Sequence, residues 1–191
     1  MAEPDATQVV AGPGKLYVAA LGSTLPTVGS HGEYPITWPA AWKAVGYTDA
    51  GIDIVYTPTI KAIMVDEEAS PVSDVLSEEK FHLAAHLAEV TLQNLNYAIA
   101  ASTFTDNSVS ESEIVVAGGS KALQYFMVGV QGPAPGTNLQ RLVICQKAIA
   151  NAAVSMKFQR KDKMVIPVQF EARKISGQDL FDVYDFTSTA S

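Results

Sequence analysis

Apolar and polar side chains alternate with a two-residue period in several parts of this chain, and that alternation restricts the folds it can adopt. In MVIPVQFEA (164–172), apolar residues occupy every second position from Ile166 to Ala172. Successive side chains of a β-strand point to opposite faces of the sheet, so this pattern is typical of a strand with one buried face. Residues 154–159 alternate in the same way, and the two segments, separated by RKDK, predict an antiparallel hairpin.

One segment has a helical pattern instead. In TLQNLNYAIAA (91–101), Leu92, Leu95 and Ile99 recur at i, i+3 and i+7, opposite the Gln and Asn residues of the segment, and Thr91 is a suitable N-cap. Around it we count about eight strand-like segments, including one at TDAGIDIVYTP that contains a TDAG turn. The sequence therefore predicts a mainly β protein, a β-sandwich or barrel with one flanking α-helix at about 91–101.

Length and charge limit the possible functions. A chain of 191 residues is expected to form a single domain, 1–191, with an N-terminal arm at 1–14 and a C-terminal tail at 176–191. Charged residues make up 17% of it, below the rough quarter that is usual, which favours a surface covered by partners. A net charge of −7 argues against ordinary nucleic-acid binding, which needs a basic surface. With no signal peptide or long apolar run, we expect synthesis in the cytosol and no membrane contact.

Two histidines raise the question of a metal site. His82 and His86 lie in KFHLAAHLAEV (80–90), which as a strand places its large apolar residues on one face and both histidines on the other. Leu83 stands where an HExxH motif has its glutamate, and the only further histidine, His31, lies in a glycine-rich loop. We predict a strand that binds no metal. The alternative that stays open is a β-sandwich metal-binding or hydrolytic module that uses the two histidines.

Other motifs that could carry chemistry fail on spacing. AGGSKAL (117–123) has the composition of a phosphate-binding loop without the GxxxxGK[ST] spacing, and a strand-like segment follows it instead of a helix. Cys145 lies in the apolar run RLVICQ with no His or Asp near it in sequence, which favours a buried small residue over a nucleophile. The sequence therefore predicts a protein without enzymatic activity or cofactor.

Acidic and basic residues are segregated along the chain. The acidic connection 66–79 carries six acids and no Lys or Arg, whereas 141–174 carries eight bases and two acids. Solvated loops would explain this pattern, and so would contacts between copies in which acids of one chain meet bases of the next. Two tryptophans in a region rich in Pro and Gly could anchor on a neighbour or pack on their own core. The candidates for a subunit interface are Trp38, Trp42, Arg141, Lys157, Arg160, Lys161, Lys163, Arg173 and Lys174.

The order of these features resembles a known family. A short strand leads to W…VGYTDAGIDIVYTP, then to an acidic connection and to a strand that runs into a helix at FHLAAHLAEVTLQNLNYAI, before RLVICQKA and MVIPVQFEA. From about residue 16 to residue 172, this pattern is similar to the tail tube protein, or major tail protein, of long, non-contractile-tailed bacteriophages. The resemblance implies a β-sandwich flanked by a helix, assembled as hexameric rings that stack into a tube.

The resemblance also implies partners and a location. Genomic double-stranded DNA and the tape measure protein would pass through the lumen without specific DNA binding, and tail terminator and distal tail proteins would be further partners. The chain would assemble in the cytoplasm of the bacterial host and end in the virion tail; a related ring protein, such as a tail terminator, is the alternative. We expect the arm 1–14 or the 66–79 connection to reach a neighbouring subunit. An acidic wall would not bind DNA, so the residues expected to face the lumen are Asp66, Glu67, Glu68, Asp74, Glu78 and Glu79.

Overall fold

The computed structural model describes residues 8–27, 36–107, 112–136, 139–160 and 162–187. The elements of this part of the chain are β1 (Lys15–Ala20), β2 (Lys43–Ala44), β3 (Thr48–Ile63), β4 (Ser73–Leu87), α1 (Leu92–Ala98), β5 (Ser102–Asn107), β6 (Ser112–Ala117), β7 (Phe126–Pro133), β8 (Leu139–Ala150), β9 (Ile166–Ala172) and β10 (Asp182–Thr187). The prediction of a mainly β fold with one helix is confirmed, with ten strands in place of about eight. His31, Lys161, residues 1–7 of the arm and residues 188–191 of the tail lie outside the described residues.

An antiparallel sheet of eight strands dominates the structure. Its order is β2-β1-β7-β8-β9-β4-β3, and β5 and β6 form a separate hairpin. Strand β8 has β7 along one edge, while β10 (at 139–144) and β9 (at 148–150) share the other edge. The sheet is not closed into a barrel, because β2 and β3 end the order without pairing to each other.

The main hydrophobic core lies on one face of this sheet and beneath α1. Strand β9 alternates as predicted, with Ile166, Val168, Phe170 and Ala172 buried and the residues between them half-buried. Strands β1, β7, β8 and β4 add their own alternate residues to the same cluster, and α1 adds Tyr97. Burying a large apolar side chain stabilises a fold by about 1.5–3 kcal/mol, so this shared cluster is what holds the strands in one sheet.

A second apolar cluster covers the opposite face of β1, β7 and β8. It contains Trp42 and Phe186, so the C-terminal tail contributes a strand to the sheet and a side chain to this cluster. The Trp38 ring stacks on Tyr17 with 3.9 Å between the ring centroids. This arrangement requires glycine at position 129, because a Cβ atom on Gly129 would lie 2.6 Å from Cη2 of Trp38.

Gly129→Ala is expected to lower the free energy of unfolding by about 1–3 kcal/mol, because the added methyl group displaces the Trp38 ring. Gly132→Ala on the same strand is the matched control, since its Cβ would meet nothing nearer than Cα of Gly14 at 3.6 Å. Urea denaturation followed by tryptophan fluorescence measures both variants. Equal stability of the two would show that the indole packing tolerates a side chain at position 129.

Helix α1 begins as predicted and ends earlier. The hydroxyl of Thr91 accepts a hydrogen bond from the backbone N–H of Asn94 at 3.1 Å, which confirms the N-cap. The helix ends at Ala98 instead of at about 101, because Ile99 adopts extended dihedral angles, φ −103° and ψ 111°.

The prediction that the polar residues of α1 lie away from the core is wrong for its asparagines. Asn94 and Asn96 are both buried. The Asn94 amide donates to the carbonyls of Val45 and Glu89, each at 2.8 Å, and the Asn96 side-chain oxygen accepts from Ser102. Hydrogen bonds therefore hold these side chains inside the protein, to residues on either side of α1 in sequence and to Val45, which precedes β3.

The predicted hairpin between 154–159 and 164–172 does not form. Residues 151–165 contain no strand where they are described, and β9 pairs with β4 and with the end of β8 instead. The alternation in 154–159 identifies residues that could form a strand but does not select a partner. Strand β9 pairs with β4 and buries its apolar face in the core. It therefore does not need a strand at 154–159 as its partner.

Two boundaries around β3 and β4 also differ from the prediction. The TDAG segment is a bulge within β3, not a turn: Ala50 and Gly51 have φ angles of 62° and 88°, and they are inserted between Asp49 and Ile52 without reversing the chain. The acidic connection predicted over 66–79 is shorter, because β4 already begins at Ser73.

Candidate functional site

Strands β3 and β4 form a hairpin that extends well beyond the core. They have 16 and 15 residues, but only the inner half of β4 contributes buried side chains, and every residue of 53–80 is exposed. Phe181 stacks on Phe81 at 4.0 Å and lies 5.7 Å from Tyr56, which marks the outer limit of the core. We call residues 56–80 the outer hairpin. At about 3.3 Å per residue, its β3 strand up to Ile63 spans about 23 Å.

The register of the outer hairpin places apolar side chains on one face. Residues opposite each other in an antiparallel pair project to the same side, so Tyr56, opposite the buried Phe81, lies on the core side of the sheet. Pro58 and Ile60 follow on that side at two-residue spacing, and Leu76 lies opposite Ile60. We call Tyr56, Pro58, Ile60 and Leu76 the apolar strip. The core face of the sheet thus continues, uncovered, along the outer hairpin.

A β-bulge preserves this arrangement. Ser77 has no partner on β3, and its hydroxyl donates to the Thr59 carbonyl at 3.0 Å. If the strand alternated regularly through Ser77, Leu76 would project to the other face. That other face is mainly polar and carries an ion pair between Lys80 and Glu78 at 3.1 Å. The outer hairpin is therefore amphipathic although both of its faces are exposed.

All six acidic candidates lie on the outer hairpin, and all are exposed. Those at 66–68 are in the connection at its tip. Asp74 and Glu79 share the face of the apolar strip, whereas Glu78 lies on the polar face. Because neighbouring residues of a strand point to opposite sides, one flat wall of a lumen cannot include both Glu78 and Glu79.

Several basic candidates form ion pairs within their own chain. Arg141 on β8 binds Asp185 on β10 through two hydrogen bonds of 2.7 Å, which lowers the pKa of that carboxyl group. Arg173 pairs with Glu171 at 2.7 Å and lowers its pKa in the same way. Lys174 is exposed just beyond β9. Arg141 and Arg173 thus make local ion pairs near the surface, each of small individual energy.

The segment between β8 and β9 is fixed at one point to the base of the hairpin. Nζ of Lys163 lies 2.7 Å from a carboxylate oxygen of Asp49, near the start of β3. The hydrogen bond from Lys163 is the main reason that the pKa of Asp49 is lowered. This contact sets the position of the residues that precede Lys163.

An exposed apolar and basic surface precedes that ion pair. Phe158 is 85% exposed, and Met156 is exposed beside it. Lys157 and Arg160 alternate with them and are also exposed. We call residues 156–160 the basic loop; Lys161, next in sequence, lies outside the described residues.

The two tryptophan candidates make contacts inside their own chain. Trp42 is 5% exposed, and its Nε1 donates to the Thr24 carbonyl at 2.8 Å. Trp38 is half-buried and donates to Oε1 of Gln131 at 2.7 Å. Packing on the chain's own core was one of the two alternatives for these residues, and it describes the contacts seen. A contact of the remaining exposed edge of Trp38 with a neighbour stays a prediction.

His82 and His86 lie on a strand, as predicted, on the face of β4 opposite its buried residues. Among the described residues, no group of three or more His, Cys, Asp or Glu side chains could hold a metal ion. Since His31 is not in that part of the chain, the absence of a metal site stays a prediction. Cys145 is buried as expected, and burial raises the pKa of its thiol to about 11, which keeps it protonated and unreactive.

The last three findings do not concern individual side chains. In the part that the structure describes, none of the helices has the length and hydrophobicity needed to cross a membrane. The protein-family model described as phage tail tube protein matches residues 1–189. The comparison with curated proteins found no match. The range of the family match includes the eight-stranded sheet, α1 and the outer hairpin, so it concerns the whole fold.

Proposed function

Because this chain belongs to the phage tail tube protein family, and is therefore a structural component of the virion tail, we propose that its copies form hexameric rings that stack into the tail tube. The number of copies per ring is what the resemblance to long, non-contractile-tailed phages implies. In this proposal the chain has no catalytic role. It assembles in the host cytoplasm, and tail terminator and distal tail proteins contact the tube.

The observation that carries this proposal is the exposed apolar surface of the long hairpin. Soluble monomers seldom expose large contiguous apolar patches, and a two-stranded hairpin alone is only marginally stable in water. Covering this surface in an assembly removes both problems. The large apolar side chains exposed on β3, β4 and their connection are Ile54, Val55, Tyr56, Ile60, Ile63, Met64, Val65, Val72, Val75 and Leu76.

The shape of the subunit also supports repeated head-to-tail contacts. The outer hairpin is the part of β3 and β4 that extends beyond the core, and both of its faces are exposed. A contact between two unlike surfaces generates a closed ring or a continuing stack, depending on the rotation between copies. A tube needs both kinds of contact, one within rings and one between them.

We propose further that the lumen is acidic, so that DNA and the tape measure protein pass without binding. Six copies with a net charge of −7 give 6 × −7 = −42 per ring. A basic wall would displace counterions from DNA and hold it, whereas an acidic wall repels it over roughly 8 Å at physiological salt. Since the acids of the outer hairpin lie on both of its faces, only those that no neighbouring copy covers can face such a lumen.

Electron microscopy of the concentrated protein tests the proposal directly. We expect stacked rings or tubes in negative stain, together with a large rise in the mass measured by light scattering. Separate rings that never stack would favour the tail terminator alternative. A protein that remains monomeric at every concentration would contradict the proposal.

A further inference from the structure

We propose that the outer hairpin of one subunit binds the basic loop of a second copy, with the apolar strip against Met156 and Phe158 and the acidic tip against Lys157 and Arg160. This inference rests on the proposed self-assembly. It identifies the two surfaces that meet and the charges that align them.

The two surfaces have complementary charge. No Lys or Arg occurs in 62–79, while five acids of that segment lie at the tip or on the face of the apolar strip. The basic loop has two exposed bases and no acid. Opposite charges around an apolar contact fix its register and exclude wrong partners, because like charges would be brought together in any other alignment.

The apolar parts also correspond. Phe158 is 85% exposed, the highest exposed fraction of any large apolar side chain in the described residues. An aromatic side chain that is fully solvated in the free subunit is the usual anchor of an interface, since its burial releases the most apolar area. The apolar strip offers an aromatic ring, a proline and two branched aliphatic side chains on one face. Bases flank the exposed ring, and acids flank the strip.

The tip of the outer hairpin does not reach the basic loop of its own chain. The ion pair between Lys163 and Asp49 holds the loop at the base of β3, and Ile63 ends that strand about 40 Å away. Phe158 and Lys163 are five positions apart in the sequence, which is a reach of at most about 18 Å. The acidic tip and the basic loop of one subunit are therefore too far apart to meet, and the partner must be another copy.

This geometry gives the contact a direction. The loop sits at the base of one hairpin and accepts the tip of the next, so each added copy presents a new free tip. Such a heterologous contact repeats along the direction in which the hairpin points. It provides the stacking contact that the proposed tube requires.

Charge reversal tests the pairing. The hairpin variant Glu67→Lys/Glu68→Lys and the loop variant Lys157→Glu/Arg160→Glu are each expected to lose tubes in electron micrographs, because like charges then meet. The variant with all four substitutions restores opposite charges and is expected to form tubes again, as is a 1:1 mixture of the two double variants. The matched control is Asp106→Lys/Glu113→Lys, which changes the net charge as the hairpin variant does. Its two exposed acids lie opposite each other in the β5–β6 hairpin.

The outcomes separate this inference from the proposed function. If the wild type forms tubes and both double variants do too, the function stands and the pairing is wrong. If the double variants lose tubes but neither the combined variant nor the mixture regains them, the two surfaces do not meet, and the inference is again overturned. If the wild type itself never associates, the proposed function fails and this inference fails with it. Circular dichroism of each variant checks that the subunit is folded.

Discussion

The variant Ile60→Ser/Leu76→Ser is expected to form no tubes at concentrations at which the wild type forms them, while its melting temperature changes little. Both side chains are already exposed in the free subunit, 62% and 50%, so folding gains little from them. Burying the exposed part of these two side chains in an assembly contributes about half of the value for full burial, roughly 1.5–3.5 kcal/mol for each contact. Since about 1.4 kcal/mol is a factor of ten in affinity, the affinity is expected to fall by roughly one to two orders of magnitude. Light scattering and thermal denaturation measure the two effects separately.

The opposite face of the same hairpin supplies the control. Ile63 and Val75 are exposed to similar degrees, but the register places them on the polar face. Ile63→Ser/Val75→Ser therefore removes a similar apolar area without touching the apolar strip, and tubes are expected to persist. Loss of assembly in both variants would mean that the register does not define the contact surface.

Phe170→Ala is expected to lower the free energy of unfolding by about 3–5 kcal/mol, a large part of the usual 5–15 kcal/mol. Phe170 is 1% exposed in the middle of β9, and its ring packs edge-on against Phe126 with 6.4 Å between centroids. The substitution leaves a cavity where β9 meets β4 and β7. Urea denaturation of the variant and of the wild type measures the change in the free energy of unfolding.

The same substitution at Phe158 is the matched comparison. Its ring is almost fully exposed, so Phe158→Ala is expected to change the stability of the subunit by no more than about 0.5 kcal/mol. For assembly we expect the opposite effect: Phe158→Ala loses tubes, although its subunit is as stable as the wild type. Similar destabilisation by the two substitutions would show that the basic loop packs on the core after all.

Local patterns predicted the elements whose burial follows a regular period. Strand β9 and the inner half of β4 alternate without interruption, and both lie over the core. The outer half of β4 was predicted as a connection, because the bulge at Ser77 breaks the two-residue period. The alternation of β3 around Tyr56 and Ile60 is visible in the sequence, but alternation does not show whether the apolar side is covered.

Local patterns did not predict which strands pair when they are far apart in the sequence. Residues 154–159 alternate as a strand would, yet β9 takes β4 as its partner, and nothing local distinguishes the two choices. The partners of the charged residues could not be predicted for the same reason. Arg141 and Lys163 look available in the sequence, but Asp185 and Asp49 reach them only once the sheet has formed. With those pairs formed, the basic loop is left as a separate exposed surface.

Strand β3 is an edge of the main sheet, and this position has a consequence for the subunit before it assembles. A long edge strand with unpaired N–H and C=O groups is a template on which other chains can add strands and aggregate. Pro58 has no N–H to offer, Lys61 places a charge on the edge, and the bulge at Ala50 and Gly51 bends it. These residues protect the edge while leaving the apolar strip exposed. We therefore expect the free subunit to recruit strands poorly at this edge, while its hairpin remains available for the contact proposed above.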